Sequence, residues 1–124
     1  MDLRLRRFWI VAGWVLVLVV IYLSVAPAPI DPVADESDKI SHVLAYSALM
    51  AWFANLYNER SPRGMFAAGF VVMGIALEFV QGWTGDRSFE VADMVANAAG
   101  VAAGWALAPP RLPNVLWEVE RVFW

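Results

Sequence analysis

The chain has 124 residues, a formal net charge of −3, 60% hydrophobic residues and only 17% charged residues. Soluble domains carry roughly 45–50% apolar and about 25% charged residues, so the composition excludes an ordinary soluble domain and implies an integral membrane protein in one domain. No cysteine is present, which excludes a disulfide framework, a thiolate nucleophile and a cysteine metal site; no basic cluster beyond the N-terminal arm points to nucleic acid.

The first predicted element is FWIVAGWVLVLVVIYLSVA, about residues 8–26, an uncharged run close to the ~20 residues that cross a bilayer. RLRR before it and APA after it have the layout of a signal peptide. The run exceeds the ~7–15 residue apolar core of such a signal, and Pro27 or Pro29 after the cleavage positions obstructs a peptidase, so a retained transmembrane helix is expected. PAPIDP separates it from a second span, about residues 40–56. NERSPRG follows, with Pro62 and Gly64 read as helix breakers. The third span covers about 65–83, and TGDRSFE leads to the fourth, about 91–108, which Pro109 and Pro110 end. The tail, 113–124, is too short and too charged to span. Val115, Leu116, Val119, Val122 and Phe123 share one helical face, with Glu118 and Arg121 away from it, which predicts an interfacial helix anchored by Trp117 and Trp124. The expected fold is all-α: a membrane bundle of four transmembrane helices, antiparallel between neighbours, plus a short C-terminal interfacial helix. The seven tryptophans suit the membrane–water boundary.

Orientation follows from the basic residues, which favour the cytoplasmic side in short loops. Arg4, Arg6, Arg7, Arg60, Arg63, Arg111 and Arg121 all fall on one side of a four-span arrangement, leaving Lys39 and Arg87 among acidic residues on the other. Both termini are therefore expected in the cytoplasm, in a multi-pass protein of a bacterial cytoplasmic (inner) membrane.

Polar residues then acquire a common depth. Asp38, His42 and Tyr46 lie at i, i+4 and i+8 on one face of the second span, and His42 is the chain's one histidine. Glu78 and Gln81 share a face near the outer end of the third. Asp93, Asn97, Gly100 and Gly104 form a stripe on the fourth, and Arg87 sits in the turn between them. Ionisable groups in hydrocarbon cost a few kcal/mol and face the bundle or water, so the three stripes are expected to meet in an outward-facing cleft. Asp38 and Asp93, near helix starts, also suit capping, and polar groups between membrane helices also act as packing contacts.

Together these residues resemble the VanZ-like family of small bacterial membrane proteins. The resemblance rests on Asp38, Lys39, His42 and Tyr46, then Glu78 and Gln81, then Arg87, then Asp93, Asn97, Gly100 and Gly104. Leu77 stands where the family often has an acidic or small residue. The resemblance implies four membrane helices and, for the founding member, a link to reduced susceptibility to the glycopeptide teicoplanin; it names no reaction.

Three readings stand side by side. In the first, the cleft binds a membrane lipid or a lipid-linked wall precursor, with Lys39 and Arg87 meeting phosphate and Asp38, His42, Tyr46, Glu78, Gln81, Asp93 and Asn97 arranged around it. In the second, a hydrolase or transferase acts on a lipid head group, with His42 as base and Asp38, Glu78 or Asp93 as its orienter or acid, and a divalent ion held by carboxylates and His42 is a variant of this reading. Neither G-x-S-x-G nor H-E-x-x-H occurs. In the third, the polar stripes only fix packing. A proton relay is disfavoured because the stripes stop short of the cytoplasmic half. No cofactor or resident metal is expected, and self-association is left open.

Overall fold

The computed structural model describes residues 3–25, 34–84, 91–109 and 111–123, with the side chains of 34–39 and 84 outside that description. Five helices follow in order: α1 (Arg6–Val25), α2 (Ala34–Leu56), α3 (Arg60–Thr84), α4 (Val91–Ala106) and α5 (Val115–Phe123), and the described residues contain no strand.

Two boundaries differ from those expected. α2 begins at Ala34 rather than near residue 40, because ADESDK is polar yet contains no helix breaker. Hydropathy reports where hydrocarbon begins, not where a helix begins. Asp38 therefore lies in the second turn of α2 rather than at its start. α3 begins at Arg60, so Pro62 and Gly64 do not break it. Pro62 sits in the first turn, where a missing N–H leaves no intrahelical bond unmade.

α2 is the hub. Leu49, Met50, Phe53, Ala54 and Leu56 are fully or almost fully buried, and α2 contacts each of the other four helices. Its closest partner is α4. A Cβ at Gly100 would lie 2.5 Å from the Val43 carbonyl oxygen, and one at Gly104 would collide with that of Ser47. This is the small-residue approach that lets backbones touch. On the other side of α2, Phe53 stacks on Phe66 at 4.5 Å between centroids, with Phe70 and Trp14 in edge or tilted contact.

The last four carbonyls of a helix have no partner within it, and α2 carries no basic residue in its last turn. Other elements supply the donors. Phe53 O accepts from Tyr57 N at 2.9 Å, Ala54 O from Arg63 at 2.7 Å, Asn55 O from Asn114 at 2.8 Å and Leu56 O from Arg6 at 2.6 Å. Asn114 also caps α5, its Oδ1 accepting from Trp117 N at 3.0 Å. Thus α1, α3 and the lead into α5 all converge on the end of α2.

In α5 most of the expected apolar face lies on the outside of the chain. Leu116 and Glu120, one turn apart, are its buried residues, while Val115, Val122 and Phe123 are exposed. Glu120 is drawn inward by the start of α1. Its carboxylate accepts from Arg4 N at 2.6 Å, Leu5 N at 3.2 Å and Trp9 Nε1 at 2.6 Å. Glu118 and Arg121 pair on the exposed side at 2.6 Å. The expected anchor Trp124 lies outside the described residues.

Two helices, Arg6–Val25 and Arg60–Trp83, are long and apolar enough to cross a membrane, and only 11% and 22% of their apolar windows are buried within the chain. A soluble core helix would be mostly buried, whereas these present apolar side chains such as Val11, Leu18, Val72 and Phe79 outward. The apolar part of α2, Ile40–Leu56, and the 16-residue α4 are shorter. The expectation of four transmembrane helices therefore has two clear members.

Candidate functional site

Buried positions on α3 run Arg63, Phe70, Gly74, Glu78 and Gln81; on α4 they run Asp93, Asn97, Gly100, Val101 and Gly104. Each is one helical stripe facing α2 or its neighbour, polar toward the α3 C-terminus and the α4 N-terminus and small or apolar beyond, apart from Arg63 at the far end of α3. Side-chain periodicity thus brings the polar parts of both stripes to the same end of the bundle, which α2 enters with His42 and Tyr46.

His42 Nδ1 and Asn97 Oδ1 are 2.7 Å apart, joining α2 to α4. Facing an amide oxygen, Nδ1 donates in the tautomer that makes this hydrogen bond. Gly74 makes room for this pair from α3, since a Cβ there would lie 2.8 Å from Asn97 Nδ2. One turn on, Glu78 is 1% exposed and close enough to Tyr46 to act on its phenol electrostatically. Asp93, one turn before Asn97, is also buried. His42, Glu78 and Asn97 sit six to eight residues inside the ends of α2, α3 and α4, a depth of about 9–12 Å at ~1.5 Å per residue.

Of the residues expected in the cleft, His42, Tyr46, Glu78 and Asn97 meet across three helices, with Asp93 on their margin. Gln81 is buried, but its amide donates to Ser24 O at 2.5 Å. It ties α1 to α3, a role that needs no ligand and that the spacing of residues could not show. Asp38 and Lys39 lie on the helical backbone of α2 with side chains outside the described residues, and Arg87 lies wholly outside them. No group of three His, Asp or Glu side chains suited to a metal ion occurs among the described residues.

Chemically, the cluster offers two buried carboxyls, a half-buried imidazole, a buried phenol and a buried amide. Such a group can accept and donate hydrogen bonds to a polar head group, and its His–Asn pair can poise a base.

A family model described as VanZ/LLP1 matches residues 8–116 of the chain. An uncharacterized protein of Schizosaccharomyces pombe is 29% identical over 111 residues, covering 87% of this chain and 63% of its own length. The chain thus spans less than two thirds of that relative. No solved structure matches.

Proposed function

The chain belongs to the VanZ/LLP1 family, and from that premise and the buried polar cluster we propose that it is a four-span membrane protein whose cluster binds the polar head group of a lipid. The observation that carries this is the convergence of His42, Tyr46, Glu78 and Asn97 from three helices in a chain otherwise so apolar. Ionisable groups at such depth mark functional sites by default. In this reading Lys39 and Arg87 approach the phosphate as charge-assisted donors, while Glu78, Tyr46 and Asn97 orient the remainder. The arginine-rich end, with both termini, faces the cytoplasm, and the cluster opens outward. A lipid-linked wall precursor is the narrower form of the reading and links it to glycopeptide susceptibility. A relative in a fission yeast, an organism without peptidoglycan, favours the broader form, a membrane lipid.

The test is lipid mass spectrometry on gently purified protein, with thermal stability measured in parallel. His42→Ala and Arg87→Ala should remove the co-purified lipid while leaving expression and insertion intact. Reduced stability with unchanged lipid occupancy would instead assign the cluster to packing. Orientation is tested with single cysteines at Ser37, Ser61 and Ser88, since the chain has no cysteine of its own. An impermeant thiol reagent should label the first and third on intact cells, and not the second.

One observation favours a second reading. The hydrogen bond to Asn97 orients the His42 ring, and an oriented imidazole is what general-base catalysis uses. A hydrolase or transferase acting on the bound head group would retain lipid binding but lose turnover in His42→Gln.

A further inference from the structure

At the other end of the bundle, the start of α3 and the end of α4 enclose an open groove of about 570 Å³, lined by Asn58, Arg60, Arg63, Trp105, Pro109 and Arg111 among others. Three of its lining residues are arginines, and among the described residues none of the three forms an ion pair. Arg63 is buried and makes four hydrogen bonds, to Tyr57 O at 2.8 Å, Pro109 O at 2.8 Å, Ala54 O at 2.7 Å and Asn58 Oδ1 at 3.4 Å. Every acceptor is neutral, so its positive charge is solvated by dipoles but not cancelled. Arg60 and Arg111 are exposed at the groove's margin. The neighbouring acid, Glu59, is exposed and does not line the groove; Glu118 is engaged by Arg121.

Like charges gathered in one concavity repel one another, and an anion relieves that repulsion. Arginine's fork of donors matches phosphate oxygens. The apolar part of the lining, Trp105 with Ala102 and Ala106, suits an amphipathic ligand better than a bare ion. The groove also lies between helix ends. If α3 and α4 span the membrane, that is the level of the head groups, where basic pockets between helices hold acidic lipids.

We propose that this groove is a second, separate site that binds the phosphate of an acidic phospholipid at the arginine-rich face, with Arg60 and Arg111 contacting the phosphate, Arg63 supplying fixed buried charge and Trp105 packing on the glycerol region. The site shares the spanning arrangement with the reading above but none of its polar residues.

The test uses the full chain in a neutral detergent, titrated with short-chain phosphatidylglycerol, short-chain phosphatidylcholine or inorganic phosphate while thermal unfolding is followed. Phosphatidylglycerol should raise the midpoint saturably and phosphatidylcholine should not. Arg60→Gln or Arg111→Gln should weaken the apparent affinity about 5-fold each, and the pair about 30-fold, from a contribution per surface arginine near the membrane of the usual size. Arg121→Gln, outside the groove, should titrate like the parent protein. His42→Ala should keep the response, which separates this site from the one at the opposite end. The proposal is overturned if the double variant titrates like the parent, if phosphatidylcholine matches phosphatidylglycerol, or if His42→Ala abolishes the response. An equal shift from inorganic phosphate at the same concentration would overturn the lipid assignment.

Discussion

Replacing Gly100 with alanine tests both the packing of the bundle and the geometry of the candidate site. The added Cβ would lie 2.5 Å from Val43 O, 3.1 Å from Tyr46 Cβ and 3.2 Å from Ser47 N, where ordinary contact begins at 3.4 Å. Two of these atoms belong to the α2 backbone and cannot rotate away, so α4 must retreat by about 0.9 Å at this level. Overpacking of this kind costs about 1–3 kcal/mol. Asn97 is one turn from Gly100 on the same stripe. The same retreat would stretch the 2.7 Å contact from His42 toward about 3.6 Å, a separation at which a hydrogen bond no longer exists. Loss of that bond adds ~1 kcal/mol. The assay is thermal unfolding of the purified chain together with NMR of the imidazole, which is unambiguous because His42 is the one histidine. Gly100→Ala should lower the midpoint and move the imidazole signal. Gly69→Ala should hold or raise stability by roughly 0.5–1 kcal/mol, since alanine is the better helix former and nothing lies within 4 Å of that position. A Gly100→Ala protein as stable as the parent, with an unmoved imidazole signal, would refute the close α2–α4 approach.

Removing the Arg63 side chain leaves the carbonyls of Ala54, Tyr57 and Pro109 without their donor. Arg63→Met should therefore destabilise the chain by on the order of 3 kcal/mol, and Arg63→Lys should recover only part of it in the same thermal assay, because an ammonium lacks the planar fork that reaches all the acceptors. Glu120 provides a pH handle. Burial raises its carboxyl, but hydrogen bonds from Trp9, Arg4 and Leu5, with the charge of Arg4, more than offset this, and it titrates below the ordinary carboxylate range. A lowered folded value means that its stabilisation is complete above the unfolded value of about 4.3 and is lost as pH falls through the folded one. Unfolding midpoints followed downward from pH 5 should fall more steeply in the parent than in Glu120→Gln.

The helical class, the order of the elements and the pairing of His42 with a polar residue of α4 could be read directly from the residues. Each depends on a local period: apolar runs mark helices, and a polar residue every three or four positions marks an inward stripe. What could not be read depends on partners distant in sequence. The ends of α2 and α3 are set by helix propensity and by first-turn tolerance of proline, to which hydropathy is blind. The helical spacing of Gln81 from Glu78 gives no sign that its amide also bonds the backbone of α1. Glu120 went unread in the tail, because nothing nearby in the sequence says that the start of α1 takes its carboxylate. Arg63 entered the sequence reading only as a positive charge in a loop, while its fold role is to satisfy the carbonyls at the end of α2. Arginines that follow a helix end and precede the next are the signal that could have revealed this.

The contact between Glu120 and the start of α1 carries a consequence for biogenesis. Its partners, Arg4, Leu5 and Trp9, are 111 to 116 residues away in sequence. At about 5–20 residues per second, a ribosome needs roughly 6–23 seconds after making Arg4 before Glu120 exists. Throughout that interval α1 must sit in the membrane with its leading amides met by water or lipid head groups. The body of the first helix can be held by α2 and α3 as they are made, but its leading end is closed last, by the tail. Any fusion or cut that displaces α5 would reach α1 at the far end of the chain, as a looser N-terminus rather than a misplaced C-terminus.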